Sequence, residues 1–502
     1  MGREDIIIEE RMKKLQSIRN DGIDPYPQKF EVKDYSKDLQ DAHKSLKNGS
    51  KSKKKVTIAG RLMSIRDFGK IAFGVVQDKK GTIQIALQSG ETPEKTMSFF
   101  KKYFDTGDIV GIEGTIWRTE RGELSVLVKD VAILTKSILP LPEKWHGLQD
   151  KEERYRKRYL DLMMDSKVKQ VFLTREKIIN CVRSLLREKE FIEVETPVLQ
   201  SLYGGASANP FKTHLNALDI DLYLAISPEL YLKRLVVGGI DRVFTICKNF
   251  RNEGIDHQHN PEFTMMEYYT TYKDYEFHIE FTEELFTKLR KDLKLSDTIE
   301  YRGNKISIKP PFKRITFRDL LLKESGIDIN VSNDFNKLKK AINDKKIQGV
   351  NISECKHYGA LLDELYKRVA RPKIIQPTFL THYPVEMIAL AKRNKEDPSK
   401  INSVQLIIDG AEVLKAYDEL NDPLEQEARL KEQQTYLAGG DESAMPLDED
   451  FVTALKYGMP PTAGYGMGID RLTMILTGQE SLRDVILFPF MRPSSKETEN
   501  KK

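Results

Sequence analysis

A chain of 502 residues, 39 % apolar and 31 % charged with a formal net charge of +5, is long enough for two or three domains with separate cores. No window approaches the roughly 18 uninterrupted apolar residues of a membrane span, and the charged opening MGREDIIIEERMKK is unlike a secretory signal, so a soluble, unsecreted protein is expected. Cys181, Cys247 and Cys355 show no CxxC spacing, which argues against a disulfide framework or a structural zinc site and fits a reducing cytoplasm.

Ile8, Met12, Leu15 and Ile18 recur at helical spacing and stop at Asp21-Gly22, so the first twenty residues read as one amphipathic helix. The run KNGSKSKKK, 47–55, is polar and basic and reads as a linker or an RNA-facing loop that closes an N-terminal segment 1–55. Residues 56–138 change to short alternating runs such as VTIAGRLMSI, IAFGVVQD and TIQIALQ, and five strands in that length suggest a small oligonucleotide-binding barrel. Such barrels present aromatic and polar groups to unstacked bases, and Phe73, Gln84 and Arg66 are candidates for that face, Phe73 being equally readable as core. A Pro-rich connector with a charged helix, 139–165, marks a domain boundary. A long amphipathic helix over 167–190 follows, then FIEVETPVL, where Pro197 implies a sheet edge, a bulge or a subunit contact.

The stretch FRNEGIDHQHNPEF, 250–263, predicts a hairpin of strands 243–253 and 261–269. Alternation would send Arg251 and Glu253 to one face, and Phe263, Met265, Glu267 and Tyr269 to one face of the returning strand. Between Asn330 and Glu354, Leu338, Ala341 and Ile342 share a side and indicate a helical insertion. GYGMGIDRL, 464–472, lacks the spacing and the βαβ context of a dinucleotide fingerprint and places Arg471 in the first turn of a helix.

Together, the helix-strand-Pro197 element, FRNE with Phe263, and the Gly-rich turn with Arg471 resemble motifs one, two and three of the class II aminoacyl-tRNA synthetases. HGLQDKEERYRKRYLDL, GGASANPF, PELYLKRLVVGGIDRVF, FRNEGIDHQHNPEFTMMEYY and ELNDP are similar to the lysyl-tRNA synthetases of subclass IIb. The resemblance implies an α+β protein: an N-terminal OB-fold barrel, and a catalytic domain over 166–495 built on an antiparallel sheet flanked by helices, with a polar tail 496–502. It implies a cytoplasmic homodimer, joined around Pro197, that uses ATP and Mg²⁺ to activate L-lysine and charge tRNA(Lys). In that chemistry the substrate carboxylate attacks the α-phosphorus, so position and charge, rather than a side-chain nucleophile, are what the protein supplies.

By the same resemblance Arg251, Glu253 and Arg471 are the catalytic set, with His259, Asn260, Phe263 and Glu412 completing the ATP contacts and Glu412 the metal ligand. Gly205, Glu229, Glu267, Tyr269, Tyr417 and Glu419 would hold lysine, and Arg66, Phe73, Gln84 and Glu123 the anticodon. Two positions depart from the family pattern: Gln405 stands where a second metal-holding glutamate is usual, and Lys415 where asparagine is common. Alternation puts Lys415 on the face of Tyr417 and Glu419, and Glu412 on the opposite face unless a bulge intervenes. An aspartate- or asparagine-specific sister enzyme, a protein-lysylating relative and an inactive RNA-binding paralogue are the competing readings. The sister enzyme would need a cation where Glu229 stands, the protein-lysylating relatives lack the barrel, and the intact Arg251, Glu253, Phe263, Arg471 set argues for turnover.

Overall fold

The computed structural model describes residues 2–142, 150–442 and 444–493. The polar tail 496–502 and connector residues 143–149 lie outside the described residues. The chain divides into two units, Met1–Gly147 and Leu148–Lys502. Among the described residues no helix is long and apolar enough to cross a membrane.

In the first unit, helix α1 (Arg3–Asn20) buries Arg11, Leu15 and Ile18 while Met12 is half exposed, and it ends at Asp21 before Gly22 in the left-handed region. Arg11 is held inside by the carbonyls of Thr106 and Leu139, each at 2.8 Å. Strands β1 (Lys51–Asp67), β2 (Ile71–Gln77), β3 (Thr82–Gln88), β4 (Ile109–Arg118) and β5 (Leu124–Thr135) close into a barrel of order β1-β2-β3-β5-β4. Their inward residues, among them Val56, Ile58, Ile85, Ile112 and Val126, form one core of the kind that closure produces by removing sheet edges. The basic run differs from its reading as a linker: Lys51–Lys55 open β1 and pair with β4 from Lys51 opposite Trp117 to Lys55 opposite Thr115. Lysine is tolerated there because its charged end stays in water along the strand's outer side.

In the second unit, residues 151–164 form two short helices, and Arg158 is buried against Asp161 (2.6 Å) and the carbonyls of Arg483 and Leu487. Helix α2 (Ser166–Glu188) starts where Asp165 accepts from Lys167 N, and buries Ile178, Cys181, Val182, Leu185 and Leu186. The sheet has eight strands: β6 (Ile192–Glu193), β7 (Arg242–Phe250), β8 (Glu262–Thr271), β9 (Lys313–Thr316), β10 (Thr378–Thr381), β11 (Ser403–Ile408), β12 (Ala411–Asp418) and β13 (Thr462–Gly468). Their order is β9-β10-β11-β12-β13-β8-β7-β6, antiparallel except at the two edges. One face packs on α2 and on α4 (Tyr275–Leu293), α3 (Glu229–Val237) lying earlier in the chain. On that face Tyr268 stacks on Tyr465 (4.7 Å) and bonds His278 Nδ1 (2.8 Å), a histidine kept neutral by burial, which pushes its pKa down to about 3. The expected insertion is the helix Phe335–Asp344, which buries Leu338 and Ile342 in a separate core against the Tyr358–Leu365 helix.

The hairpin differs from its sequence reading. β7 stops at Phe250, so Arg251 and Glu253 are not alternating strand residues: Arg251 N still bonds Pro261 O (2.9 Å), but Asn252 N turns to Asn209 O (2.8 Å) and Glu253 lies exposed in the loop. The backbone leaves the ladder because GGASANPF, from the segment preceding β7, offers it a competing acceptor.

Candidate active site

A cavity of about 700 Å³ lies over the other face of the sheet, and it gathers residues from Gly205 to Leu482 of the second unit. Register sets two rows across its floor. Gln405, Lys415, Gly466 and Glu267 stand in one, and Ser403, Tyr417, Gly464 and Tyr269 in the next. The two glycines leave a trough between the flanking side chains. A Cβ on Gly464 would overlap Glu419 Oε1 and come within 2.6 Å of Tyr269 Cε1.

At one end of the trough α3 begins at Glu229, its N–H bonded to Ser227 Oγ (3.1 Å), and is anchored by Arg234, which grips Asp448 with Nη2 (2.8 and 2.9 Å). Glu229 and Lys233, four residues apart, therefore share the buried face. Lys233 Nζ lies 2.6 Å from Glu229 Oε1 and also pairs with Glu419 Oε2, while Tyr417 Oη is 3.0 Å from both Glu229 oxygens. The rings of Tyr269, Tyr417 and Phe451 surround the ammonium at about 6 Å from their centroids. Among the described residues neither enclosed oxygen of Glu419 accepts a hydrogen bond of good geometry, Oε2 being engaged by its ion pair with Lys233 and Oε1 by nothing comparable. Beside them Glu267 accepts from Ser227 Oγ (3.1 Å) and Tyr269 Oη (3.4 Å), and burial together with the Glu229 charge pushes its pKa up to about 8. Gly205, at φ +83°, passes so close that a Cβ would sit 2.9 Å from Glu229 Cβ.

At the other end Arg251 lies over the Phe263 ring (5.1 Å) and reaches toward Ile226 O (3.4 Å). Thr264 N bonds Asp470 Oδ2 (2.8 Å), which itself pairs with Arg175, and this fixes the entry of α5 (Ile469–Leu476) so that Arg471 turns inward and donates to Glu412 O (3.0 Å). Glu412 reaches the cavity through the bulge that alternation left open: Leu406 pairs with Leu414 but Ile407 with Glu412, Val413 being the extra residue, so Glu412 joins the face of Lys415. Asn260 donates to Glu262 O (2.6 Å) and keeps a buried Oδ1 with no donor among the described residues, while exposed His259 pairs with Asp256 (2.9 Å) at the rim. Gln405 Oε1 accepts from Tyr383 Oη (2.5 Å), which occupies one of its two lone pairs.

On the barrel, Arg66 pairs across strands with Phe73, and Gln84 Nε2 donates to Ser125 Oγ (2.8 Å), whose neighbour two residues back is exposed Glu123. The four expected anticodon residues thus fall on one outer face. Phe68, 67 % exposed in the β1–β2 turn and edge-on to Phe73 at 6.4 Å, belongs to the same patch and was missed, although an aromatic beside Gly69 in a hairpin turn is a readable signal.

Of the expected site residues, the structure brings Arg251, Glu253, His259, Asn260, Phe263, Glu412 and Arg471 to one part of the cavity lining, and Gly205, Glu229, Glu267, Tyr269 and Tyr417 to the other. Glu419 joins the second group from beneath, through Lys233 and the Gly464 gap. Lys233 and Tyr383 were missed.

Residues 150–492 match the tRNA synthetases of class II (D, K and N), and residues 56–134 match the OB-fold nucleic acid binding domain, so sheet and barrel together are those of a class II tRNA synthetase. The chain is 45 % identical to a lysine–tRNA ligase of Pelotomaculum thermopropionicum over 96 % of its length and 94 % of the relative's. It is 44 % identical to those of Carboxydothermus hydrogenoformans (97 % and 98 % covered) and Nostoc punctiforme (96 % and 87 %). It belongs to the lysine–tRNA ligase family.

Proposed function

We propose that this protein activates L-lysine with ATP and transfers it to the 3′ end of tRNA(Lys). The observation that carries the reading is the convergence of Glu229 and Glu419 beneath a trough whose far end holds Arg251, Phe263 and Arg471. An alkylammonium taken out of water needs such carboxylates, and an aspartate side chain would meet an acidic pair that Lys233 only partly offsets. A lysine carboxylate oxygen attacks the α-phosphorus, the bond to the β-phosphate oxygen breaks, and pyrophosphate leaves. The terminal hydroxyl of the tRNA then attacks the acyl carbon and releases AMP. Arg251 would neutralise charge growing on the α-phosphate, Phe263 and Arg471 would enclose the adenine, and the unpartnered Asn260 Oδ1 would accept from the base. Glu253 and His259 would add contacts at the rim. Glu267, with Gly205 and Tyr269, would receive the α-ammonium.

Among the described residues no group of three His, Cys, Asp or Glu side chains could hold a metal alone. One hard carboxylate on Glu412 suits a Mg²⁺ completed by phosphate oxygens, which the ion would help neutralise, and Gln405, already bonded by Tyr383, would add no charge to the site. Arg66, Phe73, Gln84 and Glu123 would read the anticodon. Exposed Ile192, Val198 and Leu199 flanking Pro197 would meet a second copy in a homodimer. Exchange of pyrophosphate into ATP, assayed with all twenty amino acids, tests the reading: lysine alone should drive it, and exchange driven by aspartate would overturn it.

A further inference from the structure

The acidic end of the trough already contains a cation of this chain. Lys233 is fully buried, and its ammonium takes one oxygen from each glutamate, Glu229 Oε1 and Glu419 Oε2. Tyr417 Oη holds Glu229 a second time, and Arg234 on Asp448 fixes the helix that carries both Glu229 and Lys233. What remains is Glu419 Oε1, a wholly inaccessible carboxylate oxygen that accepts no hydrogen bond from the described residues, opposite Gly464, the position where a Cβ would overlap it. A buried acceptor of this kind is costly unless a donor is supplied.

We propose that Lys233 is a positioning residue for amino-acid selection: it clamps the two glutamates at one spacing and leaves Glu419 Oε1 as the acceptor for one further ammonium, that of the substrate. The proposal rests on the reading of this pocket as a lysine site. Two carboxylates enclosed together cannot both stay charged without a cation, and one would keep a proton that an incoming ammonium must displace. Lys233 removes that competition. Lys233 is one cation between the two carboxylates of Glu229 and Glu419, so the clamp has one more acidic group than basic, the complement of a single alkylammonium. The other titratable groups facing it are Glu267, Asp418, Tyr269 and Tyr417. Burial holds the Glu419 carboxyl well above the usual carboxylate range; Lys233 is the group that opposes this, against the added push of Glu229 and Asp418, so loss of Lys233 would raise it further.

The test is pyrophosphate exchange by the full chain and by Lys233→Met and Lys233→Arg, with KM for lysine and for ATP measured from pH 6 to 9 and melting followed with and without lysine. Lys233→Met should raise the lysine KM at pH 7 by at least about 30-fold, leave the ATP KM within about threefold, and move the acid limb of kcat/KM for lysine up by about one pH unit. Lys233→Arg, which keeps the charge but alters the spacing, should raise the lysine KM by about tenfold at unchanged ATP KM and recover most of the pH profile. A folded Lys233→Met with an unaltered lysine KM and pH profile, or a loss confined to kcat, overturns the proposal. Should Lys233→Met fail to fold, Lys233→Arg decides: an unchanged lysine KM overturns the proposal and a raised one at constant ATP KM supports it. Absence of lysine-driven exchange in the unmodified protein would instead overturn the lysine reading itself, before any variant is compared.

Discussion

Lys233 Nζ lies 2.6 Å from Glu229 Oε1, one helical turn away on the same buried face of α3, so a carboxylate that lines the cavity is also half of an internal ion pair. Its replacement therefore acts on binding and on stability at once. Glu229→Gln leaves Lys233 with Glu419 alone and weakens a charged hydrogen bond worth about 1.5–3 kcal/mol. Melting of the unliganded variant should fall accordingly, lysine should no longer raise it, and lysine-dependent exchange should drop by at least about 100-fold in kcat/KM. A variant that melts normally yet loses exchange would show that the pair with Lys233 contributes nothing to folding.

Glu267 predicts a pH dependence with a definite sign. Its carboxyl rises from 4.5 when unfolded to about 8 in the folded protein, so its contribution to stability is complete below the lower value and is lost as pH rises through the upper one. Facing a substrate α-ammonium it must give up that proton, so lysine affinity should rise from pH 6 to 8, by up to about tenfold per unit, and then level. Calorimetry at pH 6.5 in buffers of different ionisation enthalpy should register about one proton released per lysine bound. Glu267→Gln should abolish the release, and a flat profile in the unmodified protein would exclude Glu267 as the group.

Gly464 leaves no room for a side chain beside Glu419. A methyl there would overlap Glu419 Oε1 and press on Tyr269, so Gly464→Ala should raise the lysine KM by about 100-fold or more while ATP binding, carried by the far end, changes little. Equal losses for both substrates would mean that the sheet itself had been disturbed.

Gln405 and Lys415 are cross-strand neighbours, and Tyr383 holds the Gln405 carbonyl. A glutamate introduced at 405 would be consumed by Tyr383 and Lys415, so Gln405→Glu alone should leave the Mg²⁺ dependence of ATP binding unchanged, and Gln405→Glu with Lys415→Asn should shift it to lower Mg²⁺. A shift from the single substitution, read by calorimetry, would show that position 405 ligates directly.

The barrel residues are expected to act on tRNA and not on activation. Phe73→Ala should weaken tRNA charging through KM for tRNA by about 5- to 100-fold, the worth of one stacked base, and leave pyrophosphate exchange untouched.

Much of this was legible in the sequence, because the barrel's alternating runs, the face shared by Phe263, Met265, Glu267 and Tyr269, and the turn that delivers Arg471 all follow from local pattern. What alternation could not supply were the departures from it. Arg251 is aimed by a loop whose backbone bonds Asn209, a residue some forty positions away, and Glu412 by a bulge at Val413 in the stretch AEVLKAYD, where no glycine or proline marks it. Lys233 was hidden for another reason. In LYLKRL a lysine reads as the solvated side of a helix, and only the four-residue spacing from Glu229 hinted that it turns inward.

The most direct measurement is a calorimetric comparison of lysine with norleucine, which has a side chain of similar length without the ammonium, on the unmodified protein. Glu419 Oε1 and the clamp around it predict that lysine binds and that norleucine binds at least about 1,000-fold more weakly, since a site built for a charged donor strongly rejects the analogue lacking it. Comparable affinity for the two would contradict the assignment of Glu229 and Glu419 as the ammonium site.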